Sequence, residues 1–363
     1  MKRISPPRLL VTGCLVLVIS LTARLPAAEP MFKGEIERLD PSFDKLIAAD
    51  AKIEVLAIAS VKGDSHEWVA PGEKVAPLPP EPAWSEGVCW IKNGGFAIFS
   101  DIPPNRIMKW DPKSGKTTVF KDRVGYSGQE KFAGLEPGTN GIMLDAAGRL
   151  TFCCHGDRVI KRLEADGKLV VLADKYDSKR FNSPNDLVYH SSGDLYFTDP
   201  PYGLPLREKD PARELDWFGI YRLGKDGKVT LLTKEMTRPN GIGLSPDEKT
   251  LYVAQSDPAA ALWKAFPVNE DGTLGKSRVL YDATAWVKEG RPGLPDGMAI
   301  DIAGNIWATG PGGVYCFSPQ GKILGRLNTK ERTANCKFGD DGHTLFICAD
   351  DYFCRIKTLA KGK

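Results

Sequence analysis

Six side chains that offer oxygen atoms, Glu86, Asn140, Asn185, Asn240, Asp296 and Asn335, each stand at the head of a short apolar segment. Strand starts usually take apolar or β-branched residues, so a carboxylate or amide at six of them in succession calls for a shared purpose. Two carboxylates among neutral amides suit a hard cation: Ca²⁺ accepts about six to eight oxygen ligands, amide carbonyls and water included, whereas Zn²⁺ favours His and Cys. The expected cofactor is therefore one divalent cation, Ca²⁺ in character. Taken singly, Asn-Gly and Asp-Gly also make tight turns, and an amide at a strand start satisfies nearby backbone groups. Repetition around one axis is what favours a ring of donors. His155 is the histidine that ends an expected strand near the same positions, while His66, His190 and His343 read as solvated residues of turns and a Pro-rich loop. Tyr202, within Pro200-Pro201-Tyr202-Gly203, lies on a loop placed to cover such a site.

The elements that must gather these residues form a repeat. Its first copy reads EGVCWI, GGFAIFSD, RIMKWDP and TTVFK, and its second NGIMLD, GRLTFCCH, RVIKRLE and KLVVLAD. Later copies open with NDLVYH, NGIGLS, DGMAID and NCKFGD, so successive openings are 39 to 56 residues apart. A period of that length carrying four short strands, with no long stretch of helical periodicity, predicts propeller blades. A β-sandwich predicts no period beyond one hairpin. The expected fold is all-β, a six-bladed β-propeller over residues 52–363. Its last copy runs out of chain after three strands, and KIEVLA, Lys52 to Ala57, is left over to complete it and remove two unpaired sheet edges. Residues 29–51 read as an N-terminal extension with a short helix around Phe43 to Ile47. Residues 58–83, with Gly63, Asp64, Pro71, Pro77, Pro79 and Pro80, read as a surface loop.

Composition agrees with one large globular unit: 363 residues, 42% hydrophobic and 26% charged, with 37 Gly and 27 Pro. Residues 1–28 carry Lys2, Arg3, Arg8 and Arg24 and no acid; without them 45 basic side chains face 46 acidic ones. No basic block remains to displace counterions, which excludes a nucleic-acid groove or an anionic membrane surface as the expected partner. The order of positive charge, an apolar run from Leu9 to Leu21 and the small Ala27 and Ala28 is that of a secretory signal, so residues 1–28 are expected to be removed and the protein exported, to a periplasm or beyond. The apolar run is shorter than the ~20 residues of a membrane crossing, so no span is expected after removal. Seven cysteines would remain, an odd number; most sit inside apolar strand-like runs and read as small buried hydrophobes, with a Cys348–Cys354 bridge across a hairpin as the alternative in an oxidising compartment. There is no G-x-S-x-G elbow, H-E-x-x-H pair, phosphate-binding loop or dinucleotide fingerprint.

Trp84-Ser85-Glu86-Gly87, Phe99 through Ile107 (FSDIPPNRI), Ser183-Pro184-Asn185-Asp186-Leu187, Tyr196 through Gly203 (YFTDPPYG), Arg238-Pro239-Asn240-Gly241 and Pro295-Asp296-Gly297-Met298 together resemble the SMP-30/gluconolactonase/LRE-like family over about residues 84 to 356. The resemblance implies a six-bladed propeller that binds one divalent cation and hydrolyses sugar or other lactones. It implies Glu86, Asn240 and Asp296 as metal ligands and Asn185 as a ligand to metal or substrate. The segment at Asn140 and the His-Gly at His155 fall where the related paraoxonase propellers carry active-site histidines. The family's proline after Glu-Gly is Val88 here, and the regucalcins' substrate-contacting arginine is Ser183, which weakens the implied preference for sugar lactones. On this reading the cation polarises the lactone carbonyl and acidifies a water, Asp296 is ligand and general base, and His155 is a second candidate for proton transfer. Asn140, Asn185 and Tyr202 are the expected substrate contacts. An aryl-ester or phosphotriester hydrolase on the same site, or a non-catalytic propeller rigidified by metal, are the competing readings.

Overall fold

The structure, a computed structural model, describes residues 1–2, 30–76, 78 and 83–363, so most of the expected export signal lies outside the described residues. Six antiparallel sheets follow one another along the chain, each running outward from its first strand. The first four blades begin at Ser85–Ile91, Thr139–Leu144, Leu187–Tyr189 and Pro239–Leu244 and have four strands each. The fifth and sixth begin at Met298–Ile300 and Asn335–Gly339 and have five. This is the six-bladed all-β propeller the repeat predicts. Among the described residues no helix is long and apolar enough to cross a membrane.

Alternation within each strand buries side chains on both faces, because every blade is sandwiched between two others. The apolar clusters accordingly sit at the junctions. Phe152 and Ile98 meet between blades one and two, Phe197 and Tyr221 stand against the second blade's Ile160, and Trp263 packs with Tyr315 and Phe317 between four and five. The junction of blades six and one is closed the same way, with Phe353 stacked on Phe99 at 4.5 Å between centroids.

The leftover strand does complete the last blade. Glu54–Lys62 pairs antiparallel with Tyr352–Lys357, with Glu54 opposite Arg355 and their side chains joined by bonds of 2.7 and 3.1 Å. The expected loop over 58–83 is corrected: this strand runs on to Lys62, turns at Gly63 with φ +60, and returns as Ser65–Val69. The alternation His66 and Trp68 inward, Ser65 and Glu67 outward is a strand signal outweighed in the sequence by the prolines nearby. His66 is consequently buried, not solvated. Its Nε2 lies 2.9 Å from Asp101, which also accepts from Trp68 Nε1 and Arg106 Nη2, so the closing hairpin is clasped to blade one.

The extension also holds more than a short helix. Glu35–Arg38 adds an outer strand to blade five, with Glu37 tied to Arg326. The turn that follows, Pro41–Lys45, is a 3-10 helix capped by Asp40, and it drops Phe43 onto Gly325, where a Cβ would lie 2.4 Å from the ring. Burying Phe43 contributes about 1.5–3 kcal/mol. The seven described cysteines are all free and six of them are buried, as small hydrophobes would be; the alternative Cys348–Cys354 bridge is not formed. Cys348 pairs across the hairpin with Phe353 and Cys354 with Ile347, so the two thiols face opposite sides of the sheet and enter different cores.

Candidate functional site

At one mouth of the channel, the inner strands are bent before they settle into register. In blade one Glu86 pairs with Ser100 and Cys89 with Ile98, so one extra residue is accommodated; blade two does the same between Thr139 and Ile142, and blade four between Pro239 and Ile242. A bulge of this kind re-aims a side chain, and here the re-aimed residues are Glu86, Asn140 and Asn240. In blades three and five, Asn185 and Asp296 lie two residues ahead of the inner strand, held by Asn185 N on Thr198 O and Asp296 N on Thr309 O. Hydroxyls from alternate blades stitch the ring: Ser100 Oγ donates to Asn140 O, Thr198 Oγ1 to Asn240 O, and Thr309 Oγ1 to Ala334 O, at 2.7–3.0 Å.

Glycine follows the ring residue in four blades for a steric reason. A Cβ on Gly87 would lie 1.8 Å from Asn140 O, one on Gly241 2.1 Å from Asp296 O, and one on Gly297 2.2 Å from the Asn335 side chain. The inner strands thus approach backbone to backbone, and the ring closes tightly enough for side chains of sequence-distant blades to touch.

The ring residues share one hydrogen-bonding pattern. Asn185 Nδ2 lies 3.3 Å from His155 Nε2, Asn240 Nδ2 donates to Ser256 Oγ at 2.8 Å, and Asn335 Nδ2 to Glu86 Oε2 at 3.0 Å. The nitrogen of each of these three amides is anchored, while Oδ1 of Asn140, Asn185, Asn240, Asn335 and Asp296 is buried with no donor. Orphaned buried acceptors are costly, about 1–3 kcal/mol each. Charge tells the same story. Burial pushes Glu86 up to about 8, with Asp186 repelling it further, and burial with the Glu86 and Asp186 charges raises Asp296. Among the described residues no three His, Cys, Asp or Glu side chains surround one point; the donor set is instead two carboxylates with amide oxygens. Unpaired oxygens and uncompensated negative charge fit a hard divalent cation.

Around this ring stand residues that the repeat did not reveal. Asp186 is buried beside Asn185, with Oδ1 accepting from Leu187 N at 2.9 Å and the Lys337 charge lowering a pKa that burial raises. It sits where four other blades have glycine, which was its only signal. Glu136 reaches in from the loop between blades one and two, with Oε2 3.4 Å from His155 Nδ1 and Oε1 3.4 Å from Arg207 Nη2; no period marks it. Asp199 fixes the approach to Asn185 by accepting from the Asn182 and Ser183 amides at 2.9 and 2.7 Å. The Tyr202 hydroxyl sits beside Ser256 and Asp296 with no partner in hydrogen-bonding geometry, and burial raises its pKa. Gly203 lets this loop rest on His155, where a Cβ would meet His155 Cβ at 2.7 Å.

A cleft of about 140 Å³ opens beside Glu136, between Trp84, Leu135, Arg207 and Arg332. A second cavity, about 390 Å³, lies at the far ends of the inner strands among Ile142, Met143, Leu244, Met298 and Ile300. It is mostly apolar and holds none of the ring oxygens.

Residues 84–350 match the family model described as SMP-30/Gluconolactonase/LRE-like region. A gluconolactonase of Zymomonas mobilis is 37% identical over 339 residues, covering 91% of this chain and 87% of that protein. A pentonolactonase of Haloferax volcanii is 30% identical, covering 72% and 80%. The solved structure of a Xanthomonas campestris gluconolactonase superposes with a TM-score of 0.73 at 29% identity, covering 92% of this chain and 99% of the other.

Proposed function

The chain belongs to the SMP-30/gluconolactonase/LRE-like family, and from that premise we propose that it is a hydrolase opening a sugar lactone of the gluconolactone type with one divalent cation, Ca²⁺ in character, held by Glu86, Asn185, Asn240 and Asp296. The observation that carries this reading is the ring of buried side-chain oxygens with no donors beside two uncompensated carboxylates. A cation bound there supplies positive charge at the lactone carbonyl oxygen and lowers the pKa of a water.

The chain's own residues do the rest. Asp296, whose Oδ1 has no donor, accepts a proton from the attacking water. The water oxygen bonds to the carbonyl carbon, the ring C–O bond breaks, and the proton passes to the departing ring oxygen, leaving the open hydroxy acid. Asn140 Oδ1 and the Tyr202 hydroxyl, both without a hydrogen-bond partner, are on this reading the contacts to the hydroxyls of a sugar ring. The Tyr202 loop, packed down through Gly203, limits water over the reacting carbonyl.

The test is hydrolysis of a panel of hexono- and pentonolactones by chelator-treated protein, with and without added Ca²⁺, alongside Asp296→Ala. Chelation is expected to stop turnover and Ca²⁺ to restore it. Loss of the base is expected to lower kcat by about 10²–10⁴-fold, with far-UV circular dichroism unchanged. Full lactone turnover in excess chelator refutes the reading. Turnover of aryl esters or phosphotriesters alone would move the reaction to another electrophile.

A further inference from the structure

Of the three ring amides with an anchored nitrogen, two have an anchor that accepts whatever its protonation: a serine hydroxyl behind Asn240 and a carboxylate oxygen behind Asn335. The third, behind Asn185, is a histidine nitrogen, and a histidine nitrogen accepts only when its proton is on the other side of the ring. That other nitrogen, His155 Nδ1, is buried with no partner in hydrogen-bonding geometry, and the Glu136 carboxylate stands beside it, Oε2 3.4 Å away. His155 itself is fully buried, its main chain held by His155 N on Gly138 O and its Cβ covered by Gly203.

We propose that Glu136 and His155 form a relay that sets which way the Asn185 amide faces, so that its carbonyl oxygen and not its NH₂ group is presented to the cation. The Glu136 carboxylate, 3.4 Å from Nδ1, favours the tautomer with its proton on that nitrogen; Nε2 is then an acceptor for Asn185 Nδ2; and Asn185 Oδ1, left without a donor, is the atom offered to the ion. Were the proton on Nε2, the ring would present a donor to Asn185, and the amide would turn its oxygen toward histidine and its NH₂ toward the cation. His155 is thereby a positioning residue, its Nε2 committed to Asn185 and not free to carry a substrate proton, and Glu136 acts through it. Arg207, whose Nη2 lies 3.4 Å from Glu136 Oε1, is the second partner of that carboxylate. The inference rests on the proposed cation-dependent reading and adds two residues to its machinery.

The test measures Ca²⁺ affinity directly, by calorimetric titration and by the Ca²⁺-dependent rise in Tm of the whole protein, for Glu136→Ala, Glu136→Gln and His155→Leu. Supporting partners of metal ligands typically change affinity by about 10–100-fold. Glu136→Ala and His155→Leu are expected to weaken Ca²⁺ binding by about that factor, with lactone hydrolysis lost at low Ca²⁺ and recovered as Ca²⁺ is raised. Glu136→Gln, whose amide oxygen still accepts from Nδ1–H, is expected to stay within about threefold of the parent affinity. The inference is overturned if Glu136→Ala binds Ca²⁺ as the parent does, or if His155→Leu keeps full affinity but loses turnover at every Ca²⁺ concentration, which would make His155 the proton carrier. Should His155→Leu fail to fold, Glu136→Ala on the half-buried loop decides alone. Failure of the parent protein to bind any divalent cation would refute the proposed function itself, and with it the relay.

Discussion

At the scale of single residues, the site is a set of oxygens without donors held in place by nitrogens with acceptors. Asp199 shows how far the supporting shell extends. Fully buried, it binds the two amides ahead of Asn185, and burial pushes its pKa from 3.8 up to about 7 against those hydrogen bonds. A carboxyl raised in the fold binds more protons there than in the unfolded chain, so its contribution to stability is greatest below pH 3.8 and is lost as pH rises toward about 7. Asp199→Asn removes that titration. The parent protein is expected to lose Tm between about pH 4 and 7 more steeply than Asp199→Asn; identical slopes would show that Asp199 does not titrate in that window.

At the scale of elements, the ring depends on inner strands that come closer than side chains allow. Gly297 is the sharpest case, because a Cβ there would sit 2.2 Å from Asn335, whose amide holds Glu86. Asn335 is buried and cannot swing clear. Gly297→Ala is expected to destabilise the protein by about 1–3 kcal/mol, as overpacking does, and to weaken Ca²⁺ binding with it. Denaturant titration and calorimetry read the two effects, and unchanged values in both would mean that the sixth inner strand yields at little cost. The bulges matter equally. Without the extra residue between Glu86 and Cys89, the period-2 alternation would put Glu86 on the opposite face.

At the scale of the whole molecule, the propeller is held shut by a segment that precedes the first blade. Glu54–Lys62 supplies the fourth strand of the sixth blade, and its Val55 and Ile58 share one core with Phe43, Ile347 and Cys354. A chain beginning at Gly63 would leave that core open and Tyr352–Lys357 as an exposed edge. It is expected to be insoluble or to melt without a cooperative transition, whereas a soluble product with the parent Tm would show that closure is dispensable. With six of the seven described thiols buried in these junctions, reducing agent is not part of this balance.

The amino-acid sequence alone determined the blade count, the closing strand and the six ring positions, because each repeats: alternation marks strands, and a polar head on an apolar run is conspicuous once it recurs. Only the tertiary structure decided which groups stand behind the ring. Glu136 lies in an aperiodic loop, Asp186 hides behind Asn185, and Ser256 and His155 are ordinary polar ends of second strands until the blades close. Their roles come from contacts made only in the folded chain, and a one-dimensional pattern carries period but not the packing that brings residues 19 and 30 apart in the chain to within 3.5 Å. The same limit hid His66, whose meaning lies in Asp101 on the neighbouring blade.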